Sequence, residues 1–140
     1  MNSCVFCAIA QGGEEAHLVY SDDQVLAFLD RSPLLPGHTL VVPREHADTL
    51  DELREELVAP LFRLVRRISR AQQAAFRVDG TFTGINTRVS QSVPHLHVHV
   101  VPRREGDGLF RAGIVWHRKR YQHGEAEHMT AQLREALATA

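Results

Sequence analysis

A chain of 140 residues is long enough to bury a core of its own and reads as one domain over 1–140. With 16 Lys plus Arg against 17 Asp plus Glu, the net charge of −1 provides no long-range field to recruit nucleic acid or an anionic membrane, so any phosphate binding has to be local. No apolar run is long enough to span a bilayer, and Met1-Asn2-Ser3-Cys4 lacks the basic-then-apolar order of a signal peptide, which points to the cytoplasm.

Residues 4–11 read as a short helix stopped by Gly12-Gly13. Leu18-Val19-Tyr20 and Val25-Leu26-Ala27-Phe28-Leu29 follow as two strands of a hairpin turning through Ser21-Asp22-Asp23-Gln24. Beyond the turn-rich Ser32-Pro33-Leu34-Leu35-Pro36-Gly37, residues 38–43 form a third strand, ended by a proline that cannot donate to a ladder. The period then changes: Leu53, Leu57, Leu61, Leu64, Ile68 and Ala71 recur at helical spacing, with Arg54, Glu55, Arg63, Arg66 and Arg70 on the other face. Thr49-Leu50-Asp51-Glu52 has the form of a capping box for this helix, and Pro60 is expected to kink or divide it.

Residues 80–86 return to strand character, and the next strand, over 94–102, is its expected antiparallel neighbour. Ile114-Val115-Trp116 is read as a last short strand and residues 129–138 as a final helix. Together these elements predict an α+β fold, a mostly antiparallel sheet with one long helix and a C-terminal helix.

The stretch from Pro94 to Pro102 carries histidine at 95, 97 and 99, with Leu96, Val98 and Val100 between. Side chains two apart in a strand share a face, so the three imidazoles line one side while the apolar residues enter the core. At roughly 3.3 Å per residue His95 and His99 stand about 13 Å apart, too far for one metal centre to take all three. Different tasks along one groove follow. Neutral imidazole is a good nucleophile, and its ordinary pKa of about 6.5 lets neighbours choose its form. Cys4 and Cys7 are the chain's only two cysteines. In a reducing compartment their spacing suggests metal or redox chemistry rather than a structural disulfide, with a thioredoxin-like dithiol and an unligated pair as the competing readings.

His95-Leu96-His97-Val98-His99-Val100-Val101 resembles the signature of the histidine triad (HIT) superfamily of nucleotide hydrolases and transferases. The likeness extends through Cys4-Val5-Phe6-Cys7, Leu26-Ala27-Phe28-Leu29-Asp30, Gly37-His38-Thr39-Leu40-Val41-Val42-Pro43, His46 and Gln91-Ser92-Val93. It implies the HIT fold, a homodimer and a purine nucleotide substrate attacked at its α-phosphorus. His97 would be the nucleophile forming a nucleotidyl-histidine, His99 would contact the α-phosphate, and Ser92 would lie near phosphate and leaving group. Asn86 and Gln91 match polar positions around the phosphate, Asp30 the carboxylate that holds a ribose diol, and Phe28 a residue near the base. Cys4, Cys7, His46 and His95 match the ligands of a structural zinc in some members.

The loop between Asn86 and Gln91 is shorter than a glycine-rich phosphate loop, and Ser90 stands where glycine usually precedes the glutamine. Among reactions, the resemblance points first to purine nucleoside phosphoramidate hydrolysis. Dinucleoside polyphosphate hydrolysis and nucleotidyl transfer remain as alternatives, together with a non-catalytic nucleotide-binding role. Arg103-Arg104, directly after the histidine strand, would suit a polyphosphate chain.

Overall fold

The computed structural model describes residues 4–111 and 118–139. Its elements, in chain order, are α1 (Val5–Ala10), β1 (Leu18–Ser21), β2 (Val25–Leu29), β3 (Thr39–Pro43), a 3-10 turn (Leu50–Glu52), α2 (Glu55–Phe76), β4 (Gly80–Gly84), β5 (Val98–Arg103) and α3 (Glu125–Thr139). The five strands form one antiparallel sheet in the order β1-β2-β3-β5-β4, which bears out the α+β reading. The expected strand at 114–116 lies outside the described residues. Among the described residues no helix is long and apolar enough to cross a membrane.

Alternation along the central strands divides the sheet into two faces. Val25, Ala27, Leu29, Val41, Val98 and Val100 pack in a large core with Leu57, Leu61, Leu64 and Ile68 of α2 and Leu133 of α3. Leu26, Phe28, Leu40 and Val42 turn the other way and are covered by Phe6 of α1. Leu96 belongs to the helix-side core, so His95, His97 and His99 emerge on the face covered by α1, as the alternation predicts. The regular ladder, however, begins only at Val98. His95 closes a bend, its N–H donating to Val93 O at 2.8 Å, and Leu96 and His97 lead into β5 with Leu96 N–H donating to Ala47 O at 2.7 Å, so the predicted strand is shorter at its start.

The capping box is not formed. Thr49 is buried and its side chain caps nothing, because the chain first makes the 3-10 turn and extends again at Leu53 before α2 starts at Glu55. Pro60 does not divide α2, which runs unbroken over 22 residues. A proline in the second turn forfeits one ladder bond near a helix start, and burial of Leu57, Leu61, Leu64 and Ile68, each worth about 1.5–3 kcal/mol, outweighs it. The final helix begins four residues earlier than its apolar pattern suggests.

Two devices place the sheet's edges for function. Arg44 donates to the carbonyls of Ala10 and Asp22 and to the hydroxyl of Ser21, fastening the end of α1 to the β1–β2 hairpin. Gly37, at φ +94°, turns the chain into β3 where a Cβ would meet Phe76 Cε2 at 2.6 Å, Pro102 Cγ at 3.0 Å and Met129 Cε at 3.1 Å. Gly37→Ala should therefore cost about 2–4 kcal/mol, combining left-handed strain with overpacking. Urea unfolding measures it, and a loss below about 0.5 kcal/mol would contradict the close packing described for this turn.

Candidate active site and metal centre

Cys4 stands at the N-cap of α1 in extended conformation, with its sulfur accepting the Cys7 N–H at 3.3 Å. One helical turn therefore brings both sulfurs to the same end of α1. His95 Nδ1 lies 3.3 Å from Cys4 Sγ and 3.5 Å from Cys7 Sγ, and His46 Nδ1 lies 3.2 Å from Cys7 Sγ. All four donor atoms fall within 4.8 Å of one another. The outer nitrogens are also fixed, His95 Nε2 at 2.9 Å from Pro43 O and His46 Nε2 at 2.7 Å from Asp48 Oδ1. A carbonyl can only accept, so His95 carries its proton on Nε2 and turns a bare Nδ1 toward the sulfurs.

Tetrahedral zinc, with bonds of about 2.3 Å to sulfur and 2.0–2.1 Å to nitrogen, places sulfur and nitrogen ligands about 3.6 Å apart. The observed spacings match that within a few tenths of an ångström, and carbonyl and carboxylate behind the two imidazoles are the usual outer support of zinc-binding histidines. Burial lowers the pKa of His95 and keeps it neutral, as a ligand must be. Burial, with the neighbouring Cys4, pushes the Cys7 thiol up to about 11, so a thiolate at Cys7 calls for a cation beside it. Cys4, Cys7, His46 and His95 can thus hold a metal, and their donor set fits zinc.

His97 Nδ1 lies 2.8 Å from the carbonyl of His95. That bond places the proton on Nδ1 and leaves Nε2 with its lone pair. Burial lowers the His97 pKa, so the neutral nucleophilic form prevails. Behind it the protons are placed from the other end: Leu34 N–H donates to His38 Nδ1 at 3.0 Å, leaving His38 Nε2–H to donate to His99 Nδ1 at 2.9 Å. His99 consequently bears its own proton on Nε2. Both rings are buried, and burial pushes each pKa down to about 3. Asp30 Oδ2 is 3.8 Å from His38 Nε2, which brings Asp30, His38 and His99 within metal-ligand spacing. A proton already occupies the line between the two imidazoles, so the hydrogen-bonded relay runs from the Leu34 amide through His38 to His99, and Asp30 stands beside it without a hydrogen bond to either ring.

A cleft of about 970 Å³ opens over this row, with His97, Asp30, Phe28 and Ser92 among its lining. Phe6, from α1, meets Phe28 edge to face at 5.3 Å and His97 at 5.1 Å, closing the apolar wall. The Asp30 carboxylate accepts from Ser32 N–H and from Arg118 Nη1, both at 2.9 Å. His99 is not at the cleft wall but packs behind it, its ring 4.9 Å from that of His97.

Asn86 and Gln91 lie outside the lining as well. Gln91 accepts from Arg88 N–H and donates to Asp48 O and Val93 O, clasping its loop to the segment that follows His46. Arg103 forks onto Asp107, and Arg104 donates to the carbonyls of Phe76 and Arg77 at the end of α2. Their guanidiniums complete a turn and a helix terminus instead of facing the cleft. Sequence reasoning assigned no task to His38, Phe6 or Arg118. His38 could have been noticed as a polar residue entering an apolar strand beside a histidine strand. Nothing in the sequence joins Arg118 to Asp30.

The family profile described as HIT domain matches residues 11–106. Protein hit of Bacillus subtilis is 36% identical over 142 aligned residues, covering 98% of this chain and 96% of that protein. The crystal structure of a Zn-bound histidine triad family protein from Mycobacterium smegmatis superposes with a TM-score of 0.84 at 38% identity, covering 98% of this chain and 94% of that one. An Arabidopsis thaliana protein named adenylylsulfatase HINT3 is 32% identical over 140 residues, 99% of this chain and 71% of its own length.

The His38–His99 pair makes stability pH-dependent with a definite sign. Unfolded, each imidazole takes up a proton near pH 6.5, whereas in the fold it stays neutral down to about pH 3. Between those values the unfolded state binds more protons, so stability is complete above pH 6.5 and falls as the pH drops toward 3. Urea unfolding at pH 7 and pH 5 should differ by about 2–4 kcal/mol, and the double variant His38→Asn/His99→Asn should lose most of that difference. An undiminished pH slope in the double variant would assign it to other groups.

Proposed function

Because this chain belongs to the HIT domain family, we propose that it is a nucleotide hydrolase acting at the α-phosphorus through a nucleotidyl-histidine intermediate. The observation that carries this reading is the bond from His97 Nδ1–H to the His95 carbonyl, which presents Nε2 as a lone-pair nucleophile at a cleft of nucleotide size. Phe28 and Phe6 flank the base, and Asp30 accepts from the ribose diol. Nε2 of His97 bonds to phosphorus as the bond from phosphorus to the leaving group breaks. Ser92, in the same wall, gives the leaving group a proton through its hydroxyl. Water then attacks phosphorus, releasing the nucleoside monophosphate, returning the electron pair to Nε2 and a proton to Ser92. His38 and His99, neutral and tautomerically fixed, brace the row from behind, and Gln91 shapes the loop that carries Ser92.

The substrate class that fits best is a purine nucleoside phosphoramidate. Arg103 and Arg104 are engaged elsewhere, which leaves a polyphosphate chain without the clamp that pair would have offered. A nucleotidyl sulfate is the second reading. It is favoured by the name of the plant relative, and its cleavage would use the same attack at phosphorus. Zinc belongs to the proposal, held by Cys4, Cys7, His46 and His95. When bound it supplies a structural cross-link between α1 and the segment before β5. The donor geometry and the likeness to a Zn-bound protein support it.

His97→Ala should abolish turnover of adenosine and guanosine phosphoramidates while leaving nucleotide affinity within about tenfold, or roughly 1.4 kcal/mol. Acid-labile nucleotide adducts should form on the wild type and be missing from the variant. Near-normal turnover in the variant would sink the mechanism, and stoichiometric nucleotide binding without turnover by the wild type would favour a non-catalytic role. For the metal, analysis of protein purified without added zinc should find one zinc per chain. Its removal should lower the unfolding temperature and expose two titratable thiols. A metal-free chain of equal stability would contradict the assignment.

A further inference from the structure

His38 and His99, behind the cleft, are buried and held neutral, so neither supplies positive charge to a phosphate. An α-phosphate carries negative charge throughout binding and displacement, and a partly enclosed site has to balance it. Among the described residues of the cleft lining, the arginines are Arg31 and Arg118. Arg31 is 69% exposed and reaches Glu14 at 3.4 Å, at the outer rim. Arg118 is 37% exposed and is held against Asp30, whose bonded oxygen is itself 3.8 Å from His38 Nε2. Its charge is felt at His38 and His99, in each case disfavouring a second positive charge. Arg118 therefore stands on the histidine side of the cleft.

Its anchoring suits a moving side chain on a fixed backbone. Lys119 N–H donates to Pro33 O at 2.7 Å, and Tyr121 OH accepts from Gly37 N–H at 3.1 Å, which seats the segment after Arg118 on the β2–β3 connection. The guanidinium donates to Asp30 Oδ2 and to Ser32 O, both at 2.9 Å, and is itself 37% exposed. A ribose diol bound at Asp30 would compete for the same carboxylate and release the guanidinium within reach of the 5′ side of that ribose. Arginine pairs with phosphate oxygens through two parallel N–H donors, a stronger arrangement than a single bond to one carboxylate oxygen.

We infer that Arg118 is a substrate-binding residue that exchanges Asp30 for the α-phosphate oxygens when a nucleotide enters the cleft. The inference rests on the reading of this cleft as a nucleotide site and assigns selectivity for a 5′-phosphorylated nucleoside over the bare nucleoside to this one side chain. Calorimetric titration with adenosine or guanosine, whichever the wild type binds more tightly, and with the matching 5′-monophosphate tests it. The wild type should prefer the monophosphate by at least about tenfold. Arg118→Ala should reduce that preference to about twofold while nucleoside affinity holds or improves, since Asp30 is freed. Arg118→Lys should recover part of the preference, keeping the charge without the fork. An unchanged preference in Arg118→Ala, or equal weakening of nucleoside and monophosphate, would overturn the inference and leave the nucleotide site standing. A wild type that binds neither ligand would overturn both.

Discussion

A neutral imidazole has one proton for two nitrogens, and the site is organised by the backbone groups that decide where each proton goes. The Pro43 carbonyl draws the His95 proton to Nε2 and turns the bare Nδ1 toward two cysteines. The His95 carbonyl draws the His97 proton to Nδ1 and leaves the lone pair on Nε2. The Leu34 amide makes His38 an acceptor at Nδ1, so its remaining proton goes to His99. Adjacent histidines in one motif thus acquire opposite tautomers and present different atoms: a bare Nδ1 toward the cysteines at 95, a bare Nε2 at 97, a protonated Nε2 at 99. Peptide groups assign these roles because their donors and acceptors cannot exchange identity.

Neutrality is what allows so many imidazoles in one interior. A charged His99 would be desolvated and would repel any second charge on His38 or His97 beside it, and the fold avoids this by keeping the row unprotonated. The sheet provides the burial. Val98 and Val100 commit β5 to the α2 side, so His99 is forced onto the opposite face together with Leu40 and Phe28, where α1 and Phe6 close over it. The alternation that completes the core on one side delivers the polar row on the other, and a slip of one residue would exchange them.

That alternation is also the part most legible in the sequence. Period two at 95–100 and period 3.6 at 57–71 were enough to place the shared histidine face and α2 correctly, because both patterns record burial directly. Local signals fared worse where tertiary contacts intervened: Thr49 had the letters of a capping box, yet a 3-10 turn and an extended Leu53 separate it from α2. Cys4, Cys7, His46 and His95 meet as the resemblance implied, since a CxxC pair and a strand motif each bring local order to the ligands. Gln91 and the arginines at 103 and 104 show the converse. Their chemistry suited phosphate, but carbonyls and a carboxylate within reach took up their donors, and no local pattern reveals such partners. His38 and Arg118 depend on neighbours 61 and 88 residues away, a separation at which spacing carries no information.

The cysteine–histidine cluster and the cleft are not separable pieces. Phe6 lies between the two cysteines in sequence and touches Phe28, His95 and His97 in space, so the position of α1 sets both the spacing of the cysteine sulfurs from the histidines and the wall against His97. A helix of six residues has no stability of its own, since nucleation costs more than its few bonds return. Its place is determined by what grips its ends: Arg44 on the carbonyl of Ala10 at one, and the sulfurs of Cys4 and Cys7 facing His46 and His95 at the other. Loosening the cysteine end would let Phe6 withdraw, expose the apolar patch of Leu26, Phe28 and Leu40, and admit water to the imidazoles whose neutrality depends on burial. The cluster of Cys4, Cys7, His46 and His95 therefore bears on the cleft by mechanical means, holding its wall in place, and His95 joins the two through its ring on one side and its carbonyl on the other.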